Sequence, residues 1–358
     1  MDIVSSPRPR LALARLPTPP PTGSIQFFDG YFPALSANSY TIVVKQHITG
    51  GPVDKSYEVT QSFVVDAPEF VIDPGIVHTM FPPAGSSHAY GQNLPFIVLT
   101  DPTLPWERSL GIEPPDPANP LPWMALLIFA AGEILLQDGT NNPVTTRSVA
   151  ELIAADPDKA VLKPSLPQLP AETLASPCRT ITITGAAFKA LMPDITDLPL
   201  LAHCRAVGSS REGEALLSVL LCNRLAVPGT QQKKAPLRYY AHLVSLEGYR
   251  PYLRPSGQPI PAKPAGGPMD VELVSLANWT FVSLPDGGMN FAGLAQGLIA
   301  SEQATPLLRL PVSDSHAAPA SVLARLKDGY APLTFVSGAG EESFAWYRGP
   351  FSPVVPKL

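Results

Sequence analysis

Leu94-Pro95-Phe96-Ile97-Val98-Leu99 and Leu121-Pro122-Trp123-Met124-Ala125-Leu126-Leu127 are the stretches that decide how this chain folds. Each is a proline followed by an apolar run of strand length. Proline has no N–H to give a sheet ladder, so it collects at strand starts, edges and turns. A short apolar run bounded in this way reads as a strand buried on both faces. Proline occupies 44 of the 358 positions, more than twice its usual share of about 5%. Yet 45% of the chain is hydrophobic and its mean hydropathy is +0.11. A disordered proline-rich segment would need low hydrophobicity and high net charge. The prolines therefore punctuate a folded, core-bearing protein of many short strands.

Upstream of these runs, residues 40–48 and 57–65 are rich in β-branched and aromatic side chains and are linked through Gly50-Gly51-Pro52. They predict a β-hairpin with a longer loop. Residues 68–75 predict one more short strand closed by a turn. Downstream, Thr146 to Ala154 fits a short helix with a Ser/Thr start and Pro157 beyond its end. Residues 163–177 carry four prolines and read as a linker, and a helical turn follows at 186–191. Strands resume at 215–222, 237–246 and 271–283, two of them sharing the phrase Leu-Val-Ser-Leu, which points to neighbouring strands in similar surroundings. Helices are expected at 291–302, capped by Asn290, and at 319–327, with Gly329 at its end. Strands near 333–336 and 343–347 close the chain.

The fold class is thus α+β, predominantly antiparallel β (a sandwich or partial barrel) with a few short helices. A chain of this size is expected to form two domains. The boundaries read as a proline-rich arm at 1–24, a β-rich domain at 25–137, a helix and proline-rich linker at 138–178, and a second β-rich α+β domain at 179–358.

A formal charge of −5 argues against a nucleic-acid partner, which would call for a basic stripe. Charged residues make up only 15%, against a usual quarter or so, which suggests a surface covered by protein partners. Cys178, Cys204 and Cys222 are odd in number and widely spaced, so they form no disulfide framework and fit a reduced, cytoplasmic protein. The apolar stretch Leu11-Ala12-Leu13-Ala14 is too short for a secretory segment. The block from Trp123 to Leu136 is too short to span a membrane. No direct membrane insertion is expected.

No standard catalytic or nucleotide-binding motif occurs. His78 and His88 with Asp101 and Glu107, or His203-Cys204 with Cys178 and Cys222, supply metal-ligating side chains but not the paired spacing of a metal site. Asp314-Ser315-His316 reads as a polar loop, because adjacent side chains cannot easily point at one another. No catalytic residue, metal or cofactor is assigned.

Three stretches are more specified than loops require: Leu104-Pro105-Trp106-Glu107-Arg108, His242-Leu243-Val244-Ser245-Leu246-Glu247-Gly248, and Trp346-Tyr347-Arg348-Gly349-Pro350. Their candidate binding residues are Trp106, Glu107, Arg108, His242, Glu247, Trp346 and Arg348. Arg108, Glu247 and Arg348 are expected to form a buried ion-pair network tying the domains together, the alternative being a polar pocket with Trp106 and Trp346 as stacking walls. Arg348 in particular is expected to bond Glu107 or Glu247. With Pro122-Trp123-Met124-Ala125-Leu126-Leu127 and Asn223-Arg224-Leu225, these stretches resemble a family of uncharacterised bacterial proteins. The resemblance covers most of the chain beyond the arm. It implies no activity and no catalytic residues, only that the motifs belong to one fold.

The expected function is that of a non-enzymatic structural subunit of a larger particle, of the phage-tail-like or shell type. Two alternatives stand beside it. One is a hydrolase with an interdomain site using His242 and Glu107 or Glu247. The other is a carbohydrate- or peptide-binding module using Trp106, Trp279 and Trp346 as platforms.

Overall fold

The computed structural model describes residues 24–50, 52–111, 115–137, 140–167, 169–207, 215–229, 235–285, 310, 318–336 and 342–348. The chain divides into two compact units, Met1–Pro285 and Asp286–Leu358.

The strands of the first unit, in chain order, begin with β1 (Ile25–Phe28), β2 (Asn38–Gly50), β3 (Val53–Val65), β4 (Val77–Phe81) and β5 (Ser87–His88). They continue with β6 (Phe96–Leu99), β7 (Met124–Ala130), β8 (Thr145–Ser148), β9 (Val161–Leu162) and β10 (Pro177–Ile183). The last four are β11 (Ala202–Val207), β12 (Ala215–Leu221), β13 (Leu237–Ser245) and β14 (Asp270–Ser283). Three short helices accompany them: α1 (Val149–Ile153), α2 (Ala171–Ala175) and α3 (Gly185–Leu191).

Two sheets carry the body. One has the order β1-β11-β12-β6-β4, antiparallel throughout. The other runs β7-β13-β14-β10-β8, with β5 and β9 added in parallel to β14. The predominantly antiparallel fold expected of the sequence is what the structure shows.

The apolar run of β7 explains the layering. Met124, Leu126 and Ile128 enter a core shared with Ile97, Leu99, Cys204 and Leu220 of the five-stranded sheet. Ala125, Leu127 and Phe129 point the other way, into a second core with Ile183, Phe188, Met192 and Leu253. Side chains alternate along a strand, so a strand buried on both faces must be apolar at every position. The sheets therefore form a sandwich, and α3 with the segments around it adds a further layer. The start of α1 is fixed locally: Ser148 accepts the Glu151 N–H, and the Glu151 carboxylate accepts the Ser148 N–H.

Several expectations are corrected. Residues 25–137 and 179–285 lie within one unit, with β7 paired to β13 and β6 to β12, while the boundary falls at Pro285. Long-range pairing of this kind is invisible to local composition. Residues 138–178 are not a mere linker but supply β8, α1, β9, α2 and the start of β10. No strand forms over residues 68–73, and a 3₁₀ turn at Pro74–Ile76 follows. The first hairpin does not have a long loop: pairing runs on to Gly50↔Val53. The Leu-Val-Ser-Leu strands do prove neighbours, β13 and β14.

The second unit contains α4 (Ala320–Lys327), β15 (Tyr330–Val336) and β16 (Glu342–Arg348). Pro319 precedes the helix and Gly329 leaves it at φ +86°. The two strands pair from Tyr330↔Arg348 to Val336↔Glu342. The proline-rich arm before Ser24, the helix at 291–302, Asp314-Ser315-His316 and Gly349-Pro350 lie outside the described residues.

Candidate functional site

β2 and β3, 13 residues each, pair with one another and with no other strand among the described residues. At about 3.3 Å per residue they make an arm roughly 40 Å long. Directly opposed residues share a face, so the register sorts the arm into two unlike surfaces. One presents Tyr40/Phe63, Ile42/Gln61, Val44/Val59, Gln46/Tyr57 and Ile48/Lys55. The other presents Ser39/Val64, Thr41/Ser62, Val43/Thr60, Lys45/Glu58, His47/Ser56 and Thr49/Asp54.

On the second face the polar side chains pair with one another, while Val43 and Val64 stand 46% and 73% exposed. Lys45 and Glu58 pair at 3.0 Å, the Thr41 and Ser62 hydroxyls meet at 3.2 Å, and His47 reaches Ser56 at 2.8 Å and Asp54 at 3.0 Å. On the apolar face Ile42, Val44 and Val59 are 52%, 56% and 66% exposed, and no strand among the described residues is added to it. A two-stranded hairpin alone in water is marginally stable at best. An arm of this length with one uncovered apolar face is therefore a feature to be explained.

The arm is firmly rooted, and the stretches around Arg108 and Glu247 form its socket. Ahead of β2, the Ala37 N–H donates to the Glu107 carbonyl at 2.8 Å. Behind β3, Arg108 donates from Nη1 to the Ala67 carbonyl at 3.4 Å and pairs through Nη2 with Glu69 at 3.1 Å. Its Nε lies 2.9 Å from both carboxylate oxygens of Glu247. Both strands of the arm thus leave the body at the same dipeptide, Glu107-Arg108.

That dipeptide is held in turn. The Thr103 hydroxyl donates to the Glu107 carboxylate at 2.6 Å, and Asp101 accepts from the Thr103 and Leu104 N–H groups. Trp106 is fully buried, donates its indole N–H to the Pro120 carbonyl at 3.1 Å and lies 6.1 Å from the Phe32 ring. The approach is close enough that a Cβ on Gly30 would sit 2.9 Å from Pro120 and 3.3 Å from Trp106. Trp123 ties the stretches around Arg108 and Glu247 together. Its indole N–H donates to the Leu104 carbonyl at 2.6 Å, its backbone N–H to Pro105 and its carbonyl accepts from Leu246.

The electrostatics of the root are those of a buried cluster with one cation and two carboxylates. Side chains of Arg108, Glu69 and Glu247 are 15%, 14% and 12% exposed. Burial pushes Glu247 up to about 7, against the opposing pull of Arg108, with Glu69 adding to the rise. Burial raises Glu69 as well, opposed by Arg108 and assisted by Asp66. Glu107 is also raised, by burial first, while the Thr103 hydrogen bond opposes the rise.

A pH dependence follows. A carboxylate raised on folding contributes stability that is fully present below its unfolded value of about 4.3 and is lost as pH rises through the folded value. For Glu247 that window closes near pH 7. The wild-type chain should therefore lose stability between about pH 5 and 8 relative to Glu247→Gln, in which the cluster is electrically neutral. Urea titrations of both proteins across that range measure the difference; parallel pH profiles would refute it.

The remaining candidate residues lie elsewhere. His242 is 1% exposed in the second core, bonded through Nδ1 to the Ser275 hydroxyl at 2.8 Å, with Phe129 6.1 Å away. Burial lowers it to about 3, so the ring is neutral. Glu247 meets Arg108 and Glu107 meets Thr103, so the acid–base pair of the hydrolase alternative is not assembled. Trp106 and Trp279 are core residues rather than platforms. Trp346 and Arg348 belong to the second unit, both half-buried on one face of β16 as alternation requires. The Arg348 guanidinium lies 5.3 Å over the Tyr330 ring.

Sequence reasoning missed Glu69, the second carboxylate of the root. An acid between Pro68 and the buried Phe70 was its available signal. It also missed Glu133, bound by Arg224 through Nη1 at 2.6 Å and Nη2 at 3.0 Å. No group of metal-ligating side chains occurs among the described residues. The open groove along residues 153–156 and 161–166 carries Asp156, whose carboxylate is engaged by the Ala160 and Val161 N–H groups. No helix among the described residues is long and apolar enough to cross a membrane.

Comparison with protein-family profiles, with curated proteins and with solved structures returned no match.

Proposed function

We propose that this chain is a non-enzymatic structural subunit of a larger protein assembly, of the phage-tail-like or shell type, and that it works through its β-arm. One observation carries the reading: an amphipathic hairpin of two 13-residue strands that pairs the polar side chains of one face among themselves and exposes Ile42, Val44 and Val59 on the other. Exposed apolar patches rimmed by polar groups are characteristic of interaction surfaces. The buried Arg108 cluster at its base supports the same reading, since an arm that transmits contact must be held rigidly. A net charge of −5 favours protein partners over nucleic acid. Three buried free thiols favour a reducing, cytoplasmic setting.

The test is co-expression with the products of adjacent genes, followed by light scattering and negative-stain microscopy. A variant with the arm shortened, residues 42–61 replaced by a tight turn, should remain folded and lose at least tenfold of the assembled species. The body shares no strand pairing with the arm, so its circular dichroism should change only by the missing strands. Equal assembly with and without the arm would overturn the reading, as would a strict monomer with no partner.

A further inference from the structure

We infer that the apolar face of the β-arm packs against the same face of a second copy of this chain, root to tip, about a two-fold axis beside the Val44–Val59 pair. The inference rests on the assembly reading and names the partner of that surface.

Composition and symmetry of the face support self-pairing. Val44 and Val59 are the middle residues of β2 and β3 and oppose one another. Two faces of this kind, stacked about 10 Å apart, reproduce the core of a small sandwich. Stacking also supplies what a lone hairpin lacks, a covered apolar surface. An isologous contact of a patch with itself is the commonest symmetric arrangement.

Charge selects the direction. Lys55 is the one charged residue on this face, and it stands near the tip; the charges of Lys45, Asp54 and Glu58 are on the other face, paired there. Tip against tip would bring two Lys55 ammonium groups together. Tip against root instead sets Lys55 opposite the stacked Tyr40 and Phe63 rings, whose centroids are 5.5 Å apart. Ammonium over an aromatic face is favourable, and Lys55 already lies 5.3 Å from the Tyr57 ring of its own arm.

Area sets the strength. A face about 40 Å long and two strands wide covers roughly 400 Å² per copy. The pair then buries roughly 800 Å² in total, below the ~1,200 Å² of standard stable complexes. Association of two free chains should accordingly be weak and concentration-dependent, and become firm only when several arms act together in a closed assembly.

Site-specific cross-linking tests this. Cys178, Cys204 and Cys222 are buried, and burial raises their thiols to about 11, 12 and 11, so they will not compete with an introduced cysteine. In the full chain, Val44→Cys should give a covalent dimer with a short bismaleimide, in a yield that rises with protein concentration. Val43→Cys is 46% exposed at the adjacent position on the opposite face and should give at least tenfold less. Both side chains are surface residues, so folding is not at stake. Equal yields at the two positions, or none at either, would overturn self-pairing. Shortening the arm separates this from the assembly reading. Failure to cross-link together with arm-dependent assembly removes only the second copy as partner. Cross-linking without arm-dependent assembly removes only the particle role.

Discussion

Replacing Arg108 with methionine should lower the stability of the first unit by about 3–5 kcal/mol, the usual cost of removing one partner from a buried ion cluster. The stem of methionine preserves most of the packing, so the loss isolates the charge. Two carboxylates are left behind, Glu69 and Glu247, both more than four-fifths buried. The Ala67 carbonyl loses a donor as well. Since the stranded acids can take up protons, the penalty should be smaller at pH 5 than at pH 8. Adding Glu247→Gln to Arg108→Met should restore part of the loss, because it removes one of the two uncompensated charges. Urea unfolding of the three proteins at both pH values measures all of this. A loss below about 1 kcal/mol at pH 8 would mean that the cluster is solvated, as exposed pairs are, and that the arm is not rigidly rooted.

How much of this was legible in the sequence depends on the range of the interaction. β6 and β7 were readable because a proline followed by apolar residues reports a local backbone constraint and a burial state together. The caps of α1 were readable for the same reason, since Ser148 and Glu151 act within one turn. The hairpin was readable as a hairpin. Its independence was not, because alternation of Ile42, Val44 and Ile48 with polar residues is also how a strand lying over a core is written. Only the lack of a third strand beside it among the described residues distinguishes the two cases. The single sandwich of the first unit was hidden because β7–β13 and β6–β12 join residues roughly a hundred positions apart. The root shows both outcomes. Arg108 and Glu247 could be expected to pair, because each stands at the end of an apolar run and must find a counter-charge. Glu69 could not be placed, since the segment carrying it has no regular structure of its own and is located only by the arm it follows. His242 invited a catalytic reading that its burial removes; in a strand covered on both faces, a neutral histidine bonded to a serine hydroxyl is a packed core residue.

Trp123→Ala should cost about 3–5 kcal/mol, the range for removing a large buried aromatic. The position is fully buried in the core between the two sheets. It is also the point at which the proline-rich loop, the start of β7 and the turn after β13 are joined by hydrogen bonds. Cavity and connection can be told apart. Trp123→Phe keeps most of the volume but removes the indole donor from the Leu104 carbonyl, which retains the Glu107 N–H, so it should cost about 0.5–1.5 kcal/mol by itself. Because Leu104 begins the turn that carries Glu107 and Arg108, the phenylalanine variant should also loosen the arm. Amide exchange at Ala37, whose N–H is bonded to Glu107, reports that directly. Faster exchange at Ala37 in Trp123→Phe, with exchange in the middle of β13 unchanged, is the expected result. A uniform loss of protection would instead make Trp123 a core residue only, and would leave the rigidity of the arm to the Arg108 cluster alone.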